Sequence, residues 1–159
     1  MCEYCGCRQI EPLAELMDEH LALLDVSGDV RRRLVHRDRD RAMELLRHIG
    51  GLLDRHVRRE EDGVFTALRQ TGEFTDEVDD LEQEHRDFTE QLAGLDKDAA
   101  DFPARVDRFL DDLAHHMDRE DLGVFPVSTV TLHASGWDLV TDVHRQQPSF
   151  LADPRSPAR

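Results

Sequence analysis

The chain has 159 residues, enough for one domain with a buried core, and carries a formal charge of -15 with 35% charged and 6% aromatic residues. So acidic a surface repels phosphate, which argues against nucleic acid and against anionic membranes as partners. No window approaches ~18 continuous apolar residues, and Met1 to Ile10 lacks the apolar run and basic start of a secretory signal. A cytoplasmic, all-α protein is therefore expected, because nothing in the sequence alternates as a strand would.

Cys2, Cys5 and Cys7 open the chain as Cys-x-x-Cys-x-Cys. Three cysteines cannot build a disulfide framework for a core. They could bind a soft metal or cycle as a redox pair, or form an exposed thiol-rich tail. As a tetrahedral site they are one ligand short. Residues 1–9 are accordingly read as a tail, residues 10–147 as the helical domain and residues 148–159, with three prolines, as a second loose tail.

The first helix is predicted from near Ile10, with Pro12 in its first turn. Its stripe is Leu13, Leu16, Met17, His20, Leu23 and Leu24. Ser27-Gly28-Asp29 reads as a break, followed by charged runs suited to a solvated surface. The second helix should run from about Asp40 to Gln70 and stop at Gly72, with Leu45, Ile49, Leu52, Leu53, His56, Glu60 and Val64 facing inward. The third should run from about Thr75 to Leu95, presenting Phe74, Val78, Leu81, His85, Phe88, Leu92 and Leu95. The fourth begins near Phe102-Pro103, where Asp101 can cap. It presents Val106, Phe109, Leu110, Leu113, His116, Glu120 and Val124, and Pro126 is read as its end. Val127 to His133 is expected to be an extended crossing, followed by a short helix in which Trp137 covers a seam of the bundle.

Two stretches of this pattern repeat. His56-Val-Arg-Arg-Glu60-Glu61-Asp62-Gly63-Val64-Phe65 matches His116-Met-Asp-Arg-Glu120-Asp121-Leu122-Gly123-Val124-Phe125. Upstream of them stand Glu19-His20 and Glu84-His85. The chain thus reads as two tandem helix pairs, each supplying one His from its first helix and a His and a Glu, four residues apart on one face, from its second. In an up-down-up-down bundle, groups at one depth lie symmetrically about the turn between their helices. The midpoint of Glu60 and His85 falls at about residue 72, and that of His85 and His116 near residue 100, both at turns assigned from turn chemistry. The midpoint of His20 and His56 is residue 38, well past Gly28. Either the first helix continues to about Val35 or its linker is long.

Six polar groups, His20, His56, Glu60, His85, His116 and Glu120, converge in this scheme, at a cost that needs compensation. Two metal ions would supply it. Imidazole with carboxylate suits iron, and carboxylates from opposite helices can bridge two ions. Two His per ion, two bridging Glu and an oxo or hydroxo bridge leave a coordination position for dioxygen, peroxide or nitric oxide. Other polar residues receive simpler readings. Glu19, Glu61 and Glu84 are taken to point away from the site, and His36, His133 and His144 to lie on the surface. His115 would face a neighbouring helix or water, His48 could line an approach to the pocket, and Gly63 and Gly123 could permit close helix contact. No dedicated proton donor is visible, and no catalytic residue is assigned.

The order His, His-x-x-x-Glu, His, His-x-x-x-Glu, with Val-Phe after each second motif, resembles the hemerythrin-like (HHE cation-binding) domain family over roughly residues 10–145. The resemblance implies a four-helix bundle around a non-haem di-iron centre held by the same six residues. Oxygen carriers of the family have a further His four residues after the third-helix His, where this chain has Thr89. The resemblance is therefore to the four-His, two-Glu branch, which implies reaction with peroxide or nitric oxide, and catalase-like or nitric-oxide-reducing activity. The alternative is an iron-sensing or iron-sulfur-repair module that would use the cysteine tail. Classical carriers place an Asp five residues after the fourth-helix His, which Asp121 would match, but Glu120 repeats Glu60 in register.

Overall fold

Where the first helix ends decides where the first turn falls. In the computed structural model, which describes residues 6–152, α1 runs without interruption over Glu11–Val35. The break expected at Ser27-Gly28 does not form. The buried Ser27 hydroxyl donates to the Leu23 carbonyl at 2.8 Å, so its polar group is satisfied inside the helix. The chain turns instead at His36-Arg37-Asp38, where the His20–His56 midpoint puts it, and Asp38 caps the next helix by accepting from the Arg41 amide.

Helix α2 covers Arg39–Arg59, passes through a π turn over Glu60–Phe65 and resumes as α3, Thr66–Gln70. Gly72 then takes φ 79°, the left-handed conformation that suits glycine. Helix α4 covers Thr75–Ala93 and α5 covers Phe102–Arg119, with Pro103 in its first turn. Asp101 makes no side-chain cap bond, contrary to expectation. A second π turn, Glu120–Val124, leads into α6, Phe125–Thr131, and then α7, Ala134–Gln146. Helix α1 packs on α2 and α5, and α4 packs on α5 and α2, closing an antiparallel four-membered bundle.

Pro126 does not end the fourth helical run, because it sits in the first turn of α6, where no amide donor is missed. The crossing expected to be extended is mostly that helix, with only Leu132 and His133 extended before α7. The two π turns differ by one residue, and proline explains the difference. In the first, the amide of Thr66 donates to the Glu61 carbonyl, an i→i−5 bond. Pro126 occupies the matching position and has no N–H to give, so the second turn closes one residue earlier, through the Phe125 amide and the Glu120 carbonyl.

The interior has two apolar layers. One contains Leu23, Val30, Leu46, Ile49, Phe102 and Phe109, and the other Leu13, Leu16, Val64, Phe65, Leu81 and Phe125. Between them, at the depth of His20 and His56, lies a polar layer. Several sequence expectations change at the edges. Leu24 is exposed and Leu46, not Leu45, is fully buried. Cys7 is buried in the second layer and disulfide-bonded, not part of an exposed thiol tail, while Cys2 and Cys5 lie outside the described residues. Residues 148–152 are not loose, since Phe150 is buried against the first layer; the rest of that tail is outside the described residues.

Candidate metal centre

All six residues read from the sequence meet in the polar layer, and all are buried. They form two groups of four, His20, His56, Glu60 and Glu120, and Glu60, His85, His116 and Glu120, in each of which the donor atoms lie within 4.8 Å of one another. Glu60 and Glu120 belong to both. The spacing of four places His56 Nε2 3.1 Å from Glu60 Oε1 and His116 Nε2 3.2 Å from Glu120 Oε1.

The four rings are held in the same way. His20 Nδ1 lies 2.9 Å from Asp121, His56 Nδ1 2.7 Å from Glu19, His85 Nδ1 2.8 Å from Glu61 and His116 Nδ1 2.6 Å from Glu84. Each imidazole thus donates Nδ1–H to a carboxylate on another element, which leaves its Nε2 lone pair facing the centre. Behind these carboxylates stand the arginines that precede the repeated glutamates. Arg59 pairs with Glu19 and Glu15, and Arg119 with Glu84.

Glu19, Glu61 and Glu84 therefore do not point away, as their sequence positions suggested. The repeat contained the signal, because an acid directly precedes His20 and His85 and directly follows Glu60 and Glu120. His144 is likewise not a surface residue. It is buried with Nδ1 2.7 Å from an Arg59 nitrogen, which no local pattern announces. His36, His48, His115 and His133 are exposed.

The π turns complete the chamber. In an α-helix the residue five positions on stands about 140° around the axis. Closing the turn through i→i−5 bonds brings it back to the same face. Phe65, five after Glu60, stacks on His85 with centroids 5.8 Å apart, and Phe125, five after Glu120, stacks on His20 at 5.7 Å.

Two observations bear on what the chamber can hold. The four carboxylate oxygens of Glu60 and Glu120 are buried and accept no well-directed hydrogen bond, a costly state for anions unless cations meet them. The ring nitrogens are also paired nose to nose, with His20 Nε2 2.9 Å from His56 Nε2 and His85 Nε2 2.8 Å from His116 Nε2. With both Nδ1 atoms donating outward these are lone-pair contacts. Two nitrogens bound at right angles to one cation, each at about 2.1 Å, stand about 3 Å apart. The donor set fits a pair of ions. Asp121, the alternative fourth-helix carboxylate, is on His20 Nδ1 and belongs to neither group.

Without cations the cluster takes up protons. Burial lowers the affinity of His116 for its proton, but the Glu120 carboxylate more than reverses this and holds the pKa at about 9. Burial likewise opposes the charged forms of His20 and His56, yet Asp121 and Glu60 respectively raise them. Burial and Glu120 push Glu60 up, but the His56 and His20 imidazoles bring it down to about 2. Glu120 is held well below the usual range against burial, chiefly by His116.

A family model of the hemerythrin HHE cation-binding domain matches residues 11–128. The chain belongs to that family, and its fold is a hemerythrin-like helical bundle with a buried His/Glu group able to bind metal. Comparison with curated proteins found no match, and neither did comparison with solved structures. Among the described residues no helix is long and apolar enough to cross a membrane.

Proposed function

We propose that the chain is a non-haem di-iron protein that binds and reacts with a small oxidant, peroxide, nitric oxide or dioxygen. His20 and His56 would hold one ion, His85 and His116 the other, and Glu60 and Glu120 would be shared between them. The observation that carries the reading is the set of four buried, unsatisfied carboxylate oxygens ringed by four Nε2 atoms whose other nitrogens are all engaged. A pair of iron ions would supply electrons and an open coordination position.

The protein's own part is to orient and to exclude. The four Nδ1–carboxylate bonds fix each ring and raise its basicity. Phe65 and Phe125 close the chamber on one side, and the layer around Leu23 and Ile49 closes it on the other. Glu84, hydrogen-bonded to His116 and about a third exposed, offers a route for a proton between the site and water. The competing reading, iron handling through the amino-terminal thiols, would require reduction of the disulfide in which Cys7 is buried.

Metal content and peroxide chemistry test the proposal. Two irons per chain are expected, with oxygen released from hydrogen peroxide, or peroxide consumed, faster than by the same quantity of free iron. A protein isolated with zinc alone that gains no such activity on iron loading would reject it.

A further inference from the structure

The bundle is pseudo-symmetric, but its covering is not. Helix α7 lies over the first half, against the first π turn, α3 and α1. Its Val143 and Val140 side chains approach so closely that a Cβ on Gly63 would meet them at 3.7 and 3.8 Å. Over the matching surface on the second half, formed by the second π turn, α6 and the start of α4, the described residues place no comparable helix; the short turn Cys7–Gln9 packs on α6. A Cβ on Gly123 would find no atom within 4 Å. A groove of about 690 Å³ opens there, with Phe74, Val78, Leu81, Leu122 and Val127 among its walls and Arg119 at its side.

The rim differs from its counterpart in a telling way. Leu122 stands where the first half has Asp62, which is bonded by Gln147 at the edge of α7. Leu122 is 57% exposed, and Val130, one turn beyond Val127 on α6, is 81% exposed. Only two other large hydrophobic side chains, Leu24 and Val35, are exposed among the described residues. Concentration of apolar surface beside an unfilled groove marks an interaction site.

We propose that this face is covered by the same face of a second copy of the chain, in a two-fold dimer. A single patch can satisfy itself about a two-fold axis only if it carries both halves of the fit. This one does. It has a concave groove and a projecting Leu122, and its rim carries Arg119 and His115 beside Glu77 and Asp118, so each copy can set basic groups against the other's acids. Helix α7 of the second copy is a poorer occupant, because its apolar side is already seated on its own bundle and the opposite side carries Asp138, Asp142 and Arg145. The inference does not depend on which ion the centre holds.

Sedimentation of the full chain as purified tests it. The expected mass is twice 18.3 kDa at about 100 µM. Leu122→Asp, which installs the residue the first half uses, and Val130→Asp should each return the mass to 18.3 kDa with unchanged helical circular dichroism. Leu24→Asp, on a different surface, should leave the dimer intact. A monomeric parent protein would overturn the proposal and assign the groove to another chain. A dimer that survives both Leu122→Asp and Val130→Asp would overturn it by placing the interface elsewhere.

Discussion

The two halves of this molecule share their inner residues and part company one layer out. His20 and His85, His56 and His116, and Glu60 and Glu120 correspond one to one, as do the carboxylates on their Nδ1 atoms. Behind them, Glu19 and Arg59 are 0% and 1% exposed, whereas Glu84 and Arg119 are 33% and 34% exposed. The chemistry of holding a cation pair dictates the inner layer. Among the described residues, α7 and its His144 cover the Glu19–Arg59 pair, and no comparable helix covers Glu84–Arg119.

The largest expected effect ignores the asymmetry. Glu60 and Glu120 each belong to both donor groups, so Glu60→Gln and Glu120→Gln should each abolish binding of both ions. His56→Ala and His116→Ala each touch one group and should leave about half the metal. Elemental analysis of the purified variants checks this. Equal loss from all four would mean that the two ions bind only as a unit.

Arginine variants should expose the difference between halves. Arg59→Ala strands Glu19 in the interior, with a cost of about 3–5 kcal/mol as for other broken buried pairs. Arg119→Ala removes a pair about a third exposed, which water can replace, at about 0–1 kcal/mol. Urea unfolding of the two variants measures the gap. Equal costs would show that Arg119 is as shielded in solution as Arg59.

Stability against pH should separate metal-free from metal-loaded protein. His116 has its folded pKa raised to about 9, above an unfolded value of about 6.5. It therefore stabilises the metal-free fold fully below about pH 6.5 and loses that contribution as pH rises through 9. His20 and His56 are shifted in the same direction. Glu60, lowered to about 2, adds stability above about pH 4.5 that is lost on acidification through 2. The metal-free protein should thus be most stable near pH 5–6 and weaken by about 1–3 kcal/mol towards pH 9. Metal binding displaces those protons, so the loaded protein should gain over the metal-free form across the same range. Thermal midpoints from pH 5 to 9, with and without chelator, test the divergence.

Much of this was legible in the amino-acid order because it depends on short spacings. The four-residue step from His56 to Glu60, its repetition at His116 and Glu120, and the midpoint near residue 38 are consequences of helical period and bundle depth. The π turns were not legible, since an i→i−5 bond has no residue signature. Pro126 misled because proline stops an α-helix but is tolerated directly after a widened turn. Adjacent acids such as Glu60 and Glu61 project in different directions, and only the partner helix shows that both directions are occupied. The burial of His144 depends on where α7 lands, which no local pattern encodes.

The finest test compares the carboxylates that hold the rings. Glu19→Gln keeps the size of the side chain but can no longer both accept from His56 and neutralise the buried Arg59. Loss of such a partner costs about 10–100-fold in metal affinity, and this buried position should lie at the upper end. Glu84→Gln makes the same change where water reaches both Glu84 and Arg119, so solvent can supply the missing acceptor and the loss should lie at or below the lower end. Chelator competition on the two variants gives the ratio. If Glu84→Gln costs as much as Glu19→Gln, ring orientation depends on the carboxylate charge itself and not on its burial, and the open half would then be as rigid as the sealed one.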